Sequence, residues 1–315
     1  MTTPSIAGAE ARQPPSVAGW SSLPPEYAIP DRPPTQAEAQ EYCRRLARTQ
    51  YENFSVASWF LPVRLRQHFF NVYAYCRISD DLGDEVGDRK ASLHLLDQWE
   101  GELDACYAGN PRHPVFVALA HTVREFDIPK QPFSDLLRAF RQDQSVQRYE
   151  TFDDVLGYCR YSANPVGHLV LYVCGYRDDE RQALSNFTCT ALQLANFWQD
   201  VSRDYLKGRI YLPLEDLRRY QVSEDDIAAR RNTPLFCELM RFEVERARDW
   251  FGRGLPLVAR VNRDLAIDIE LFSRGGQEIL SAIERQQFAV LGRRPVISRA
   301  RKLALVARVA LGKFL

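Results

Sequence analysis

A chain of 315 residues, 45% apolar and 26% charged, has enough apolar material for a large core, and one helical unit of about 280 residues accounts for it better than two small domains. Its 41 basic residues balance 41 acidic ones, so no overall field draws it to nucleic acid, and an anionic ligand must be held by local cations or by metal. Seven scattered cysteines without a C-x-x-C pair read as small buried hydrophobes in a reducing compartment, and five histidines without an H-x-x-x-H pair give no zinc signature. No apolar run of about 18 residues and no apolar N-terminal leader is present, so a cytoplasmic protein without a spanning helix is expected.

Residues 1–34 hold eight of the 18 prolines and little apolar periodicity, and are expected to be a disordered or loosely docked arm ahead of one domain over 35–315. Thr35-Gln-Ala-Glu38 reads as a capping box that opens a helix to about Arg48. An apolar approach through Phe54 and Trp59 leads to a helix starting at Pro62, where a missing N–H is harmless, and running to about Asp84. Helical patterns follow at about 90–108, 114–125 and 132–147, interrupted at Gly109-Asn-Pro111 and Ile128-Pro129. Thr151 caps the next helix, which Asn164-Pro165-Val-Gly167 should kink or interrupt. A long helical run from about Asp179 ends at Gly208; Ser223 caps a short segment, and further helices are expected near 234–254 and 264–288. No strand-like alternation exceeds four residues and no repeat is visible, so the fold class is all-α, a helical bundle.

Two of these helices carry the same device. At about 100° per residue, Tyr73, Arg77, Asp80 and Asp84 share a sector roughly 60° wide, and Gln193, Asn196, Asp200 and Asp204 one roughly 80° wide. One acidic pair a turn apart is usually a solvated face. Buried, each such charge costs several kcal/mol unless a cation compensates it. Two helices with matching acidic faces imply a shared cavity, and D-x-x-x-D pairs facing each other suit a hard divalent cation with oxygen ligands, which points to magnesium bridging to substrate phosphates.

The strings Tyr75-Cys-Arg-x-x-Asp-Asp-x-x-Asp-Glu85 and Leu192-Gln-x-x-Asn-x-x-x-Asp-x-x-x-Asp204, followed by Gly208-Arg-Ile-Tyr-Leu-Pro213, resemble the squalene/phytoene synthase family over roughly residues 40–300. The chain looks most like the hopanoid-pathway branch that forms hydroxysqualene. The resemblance implies an isoprenoid-synthase bundle with a central cavity, an isoprenoid diphosphate as substrate, and Mg2+ held by Asp80, Asp84, Asp200 and Asp204. Arg77, Gln193, Asn196, Gln199, Arg209 and Arg294 then fall to the diphosphate. Tyr158 matches the active-site tyrosine of the family, and Phe54, Tyr73, Phe197 and Trp198 are further candidates for an aromatic wall. The approach loop departs from the family pattern, with Tyr51 and Asn53 in place of serines. So do Ser162-Ala-Asn164 for Val-Ala-Gly, Gln199 for arginine and Gln277 for tyrosine. These changes remove a cation and a ring and add neutral polar groups, as suits one diphosphate and capture by water. No G-x-G-x-x-G fingerprint marks a hydride donor. A head-to-head condensing synthase and a non-catalytic helical assembly factor are the alternatives, the latter opposed by the intact acidic residues.

Two further features are open. The pair Gly275-Gly276 inside a helix costs roughly 2 kcal/mol relative to alanine, so either a neighbouring helix or a long substrate chain approaches the backbone there. His168 reads as satisfied structure. From Phe288 to Leu315 there are seven basic residues and no acid, and Leu303, Val306, Ala307, Ala310 and Phe314 share a helical face; this suits a helix on a membrane surface or a last core helix with basic edges.

Overall fold

Prolines and capping residues set the helix starts. The computed structural model describes residues 23–50 and 62–312, and among them there is no strand. The helices are α1 (Gln36–Gln50), α2 (Val63–Asp84), α3 (Arg89–Ala108), α4 (Pro114–Phe126), α5 (Gln131–Gln142), α6 (Phe152–Ser162) and α7 (Asn164–Val173). They continue as α8 (Asp179–Leu206), α9 (Leu214–Arg219), α10 (Glu224–Ala228), α11 (Pro234–Gly254), α12 (Arg263–Arg285) and α13 (Arg299–Gly312). The expected caps are present: Thr35 and Glu38 exchange hydrogen bonds at α1, and Thr151 with Asp154 and Ser223 with Asp226 form full capping boxes at α6 and α10. Pro62 precedes α2, as its missing N–H allows.

Two cores meet end to end. α2 is the axis of the first, which buries Phe69, Tyr75, Ile78, Trp99, Phe116 and Phe133, while α8 with α11 and α12 builds the second around Trp198, Phe236, Met240 and Phe251. α7 packs against both axes, which make little contact with each other.

Some expectations are corrected and others are met. The arm is not loose throughout: from residue 23 it is part of the core, with Leu23 and Tyr27 buried and the Tyr27 hydroxyl donating to Asp81 Oδ2 at 2.7 Å. Residues 1–22, and Tyr51, Asn53, Phe54 and Trp59 of the approach loop, lie outside the described residues. The helix expected to reach 147 stops at Gln142. The backbone after it pairs instead with the chain leaving α8, where Ile210 N–H donates to Gln147 O at 2.9 Å and Leu214 N–H to Tyr149 O at 2.9 Å. Asn164-Pro165 does break the helix: Ala163 leaves helical geometry (φ −120°, ψ −49°) and Pro165 sits in the first turn of α7. At Gly276 packing decides, because an added Cβ would overlap Phe251 and Leu192, whereas at Gly275 it would meet nothing within 4 Å. His168 is satisfied by Asn186 at 2.7 Å. Val306 of α13 packs on Ile267 and Leu271, and Arg301 pairs with Glu278 at 2.9 Å, so part of the face expected for a membrane is used inside the fold. Leu303 remains 71% exposed.

Candidate active site

The four aspartates of the two acidic faces come together between α2 and α8. α8 ends at Leu206, and Gly208, with φ +81°, turns the chain back so that Lys207 and Arg209 reach across to Asp84, at 3.1 and 2.9 Å. On the α8 side Asp200 is held in a fork by Arg294, both contacts being 2.6 Å. Asp80 is 48% exposed at its side chain, yet crowding by protein first and the Asp84 charge second push its pKa up to about 6. Burial first and the Asp200 charge second raise Asp204 to about 7, with Asp84 adding to the effect from α2.

This crowding tests the fit of a metal. Four carboxylates lie near one another, and burial and mutual repulsion raise the proton affinity of Asp80 and Asp204 although Lys207 and Arg209 oppose it. An all-oxygen donor set of four carboxylates suits a hard divalent cation such as magnesium. The residues present fit that ion.

Other expected site residues are placed differently. Arg77 turns its fork to Asp81, through Nε at 3.1 Å and a further contact from Nη2, and lies 3.7 Å from Asp80; the buried Asp81, fixed by Tyr27, takes it away from an approaching diphosphate. The Gln199 amide is buried, donating to Pro295 O at 2.6 Å and accepting from Arg294 at 2.9 Å, so it anchors the strand of chain that carries Arg294 instead of facing a phosphate. Asn164 accepts from Thr190 Oγ1 at 3.0 Å and ties α7 to α8. Trp198 is fully buried in the second core. Among the described residues no hydrogen bond links Gln193, Asn196 or Gln277 to the carboxylates; Asn196 is exposed and the other two are half-buried. The Tyr73 hydroxyl is buried, and its ring lies close enough to Arg77 to influence the guanidinium.

The structure adds residues that spacing did not reveal. Asp143, at the C-terminal cap of α5, accepts from the Tyr158 hydroxyl at 2.8 Å. Burial pushes Asp143 up to about 7, with Arg209 opposing and Asp84 and Asp80 reinforcing, so the Tyr158 pair lies within the field of the α2 carboxylates. Around Tyr158 stand Tyr149, Phe197 and Tyr211, with Phe197 and Tyr211 stacked at 3.8 Å and 8°. Burial holds the Tyr158 and Tyr211 phenols protonated, well above their ordinary range. Tyr211 was legible only as part of the Gly-Arg-Ile-Tyr-Leu-Pro string; Asp143 had no helical partner to mark it.

The sequence profile of squalene/phytoene synthase matches residues 47–301, a span containing both acidic helices and Asp143. The chain belongs to the squalene/phytoene synthase family. It is 32% identical over 288 residues to the phytoene synthase of Arthrospira platensis, covering 86% of this chain and 92% of that one, and 32% identical over 278 residues to a 15-cis-phytoene synthase of Synechocystis, covering 84% and 82%. Among solved structures it is similar to the squalene synthase HpnC of Alicyclobacillus acidocaldarius, with 45% identity, a TM-score of 0.77 and coverage of 86% and 98%. A dehydrosqualene synthase in complex with ligand has a TM-score of 0.80 at 27% identity, covering 88% of this chain and 97% of that one. The all-α isoprenoid-synthase fold and its place in a family of isoprenoid synthases follow.

Proposed function

We propose that this enzyme ionises presqualene diphosphate with magnesium and captures the carbocation with water, releasing hydroxysqualene and diphosphate. The observation that carries this reading is the Tyr158–Asp143 pair, a buried polar handle in an otherwise aromatic wall, next to the carboxylates that would hold the leaving group's metal. Support comes also from the 45% identity to a squalene synthase, against 32% to phytoene synthases.

In this scheme Asp80, Asp84, Asp200 and Asp204 hold magnesium, which supplies neutralisation of the negative charge growing on the leaving diphosphate. Arg209, Lys207 and Arg294 set the carboxylate positions and add positive charge around them. The carbon–oxygen bond breaks with its electron pair departing on diphosphate. Tyr149, Phe197 and Tyr211 exclude bulk water and offer ring faces to the cation, each such contact being worth about 2 kcal/mol when desolvated. Tyr158 donates to Asp143 and also meets the Tyr211 hydroxyl, so a water bound at the Tyr158 oxygen would take the place of the Tyr211 contact. As that water's oxygen bonds to carbon, its proton passes to the Tyr158 oxygen and the phenolic proton to Asp143, leaving a neutral alcohol.

The names of the curated relatives favour a second reading, condensation of two isoprenoid diphosphates. Purified protein given presqualene diphosphate and magnesium in 18O-labelled water, without any nicotinamide, is expected to release a C30 alcohol carrying the label. Formation of presqualene diphosphate from farnesyl diphosphate, or of phytoene from geranylgeranyl diphosphate, with no alcohol from presqualene diphosphate, would establish the second reading.

A further inference from the structure

A separate cluster lies at the other end of α2. His68 is 12 residues before Asp80, about 18 Å along the helix at 1.5 Å per residue. Its buried ring faces His121 and Glu125, which stand one turn apart on α4. Glu125 Oε2 is 3.4 Å from His68 Nε2 and 3.4 Å from His121 Nδ1, and one donor atom from each of the three residues lies within 4.8 Å of the others. The imidazoles stack at 5.6 Å and 27°, and Phe126 packs edge-on against His68 at 4.8 Å.

These distances match a coordination polyhedron better than a set of hydrogen bonds. A tetrahedral ion about 2.0–2.2 Å from nitrogen and oxygen donors keeps those donors roughly 3.3–3.5 Å apart. Both carboxylate–imidazole edges fall there, too long for good hydrogen bonds, and the imidazole–imidazole edge lies within 4.8 Å. His121 Nδ1 is buried and has no hydrogen-bond partner, although 45% of its side chain is exposed, so the unpartnered nitrogen is the inward one. The other edge of His68 is fixed: Nδ1 lies 3.0 Å from the Thr122 hydroxyl, which also accepts from Asn71 at 3.0 Å. A metal on Nε2 requires the proton to sit on Nδ1, where the Thr122 hydroxyl at 3.0 Å can accept it. This is the outer-sphere contact that orients a ligating imidazole. Burial also lowers the His68 pKa, favouring the neutral form a metal requires.

We propose that His68, His121 and Glu125 form a zinc site, with a solvent-facing fourth position, that clips α2 to α4. Two imidazoles and one carboxylate are a ligand set that zinc takes and that magnesium, with its preference for oxygen, does not. The site is independent of the reaction assigned to the four aspartates and acts on the stability of the helix bearing two of them.

The test uses the full-length protein, stripped with chelator and kept in excess magnesium so that the aspartates are saturated with a hard ion. Zinc titration by equilibrium dialysis should give one tightly held zinc per chain, lost in His121→Ala and in Glu125→Gln. Both substitutions are at partly exposed side chains and should leave the fold and magnesium-dependent turnover unchanged. Zinc should raise the melting temperature of wild type by about 5 °C at hundred-fold excess over its Kd and leave both variants unmoved. Cobalt in place of zinc should give visible absorption bands of a four-coordinate nitrogen-ligated ion in wild type only. Equal zinc uptake by wild type and both variants, or the same cobalt spectrum in all three, would overturn the proposal.

Discussion

Asp268 offers a quantitative test of the packing. It sits on α12, only 3% exposed, and neither carboxylate oxygen has a hydrogen-bond partner. Burial first, and the Asp264 charge one turn earlier second, push its pKa up to about 8; the Cys174 thiol, at the end of α7, also feels this charge. In the unfolded chain an aspartate titrates near about 3.9. Between about pH 4 and pH 8 the folded protein therefore holds one proton more than the unfolded one, and this residue makes stability fall by about 1.4 kcal/mol per pH unit as pH rises. From pH 5 to pH 7 the loss is about 2.7 kcal/mol. Asp268→Asn removes the titration while keeping the shape, so the variant should gain about 2.7 kcal/mol on wild type over that interval, whatever constant offset the unpaired amide adds. Urea unfolding midpoints at pH 5, 6 and 7 measure the difference directly. Parallel pH profiles for the two proteins would show that the carboxylate finds a partner or solvent that the structure does not give it.

Three further outcomes are expected. Asp80→Ala, Asp200→Ala and their double variant should be nearly equally inactive, because ligands acting on one leaving group are not additive, and EDTA should abolish turnover in wild type; substantial magnesium-dependent activity in Asp200→Ala would separate the two clusters. Tyr158→Phe strands the buried Asp143 carboxylate at a cost of about 1–3 kcal/mol and should lower alcohol formation by ten-fold or more while substrate binding, read by inhibitor displacement, is kept. The seven basic residues after Phe288 should give salt-sensitive binding to anionic vesicles, each near the surface being worth about 1 kcal/mol, and truncation before Val296 should weaken it; equal binding by both forms would leave α13 with only its packing role against Ile267 and Leu271.

The sequence made local features legible and left tertiary ones hidden. Caps at Thr35, Thr151 and Ser223 and the break at Asn164-Pro165 are encoded within one or two helical turns, and each is found where spacing puts it. Arg77 shows the limit: Asp80 and Asp81 are both within its reach, and only the arrival of Tyr27, 54 residues from Asp81, selects Asp81. Asp143 belongs to no periodic pattern because it enters the site from a helix end, where backbone pairing with the Gly208–Pro213 stretch stops α5 early. His68 and His121 are 53 positions apart and lie on different helices, so a search for histidines at helical spacing passes over them.

The Tyr27–Asp81 contact shows that the recognisable family segment and the folding unit do not coincide. The family match begins at residue 47, yet a phenol 20 positions earlier satisfies a buried carboxylate adjacent in sequence to a proposed metal ligand. Cutting the gene at the apparent family boundary would leave that carboxylate with Arg77 alone and open the first core where Leu23 and Tyr27 fit. An expression plan, a chimera or a sequence-based inventory that trims this proline-rich lead-in would be working with a shortened enzyme whose first acidic helix has lost one of its supports.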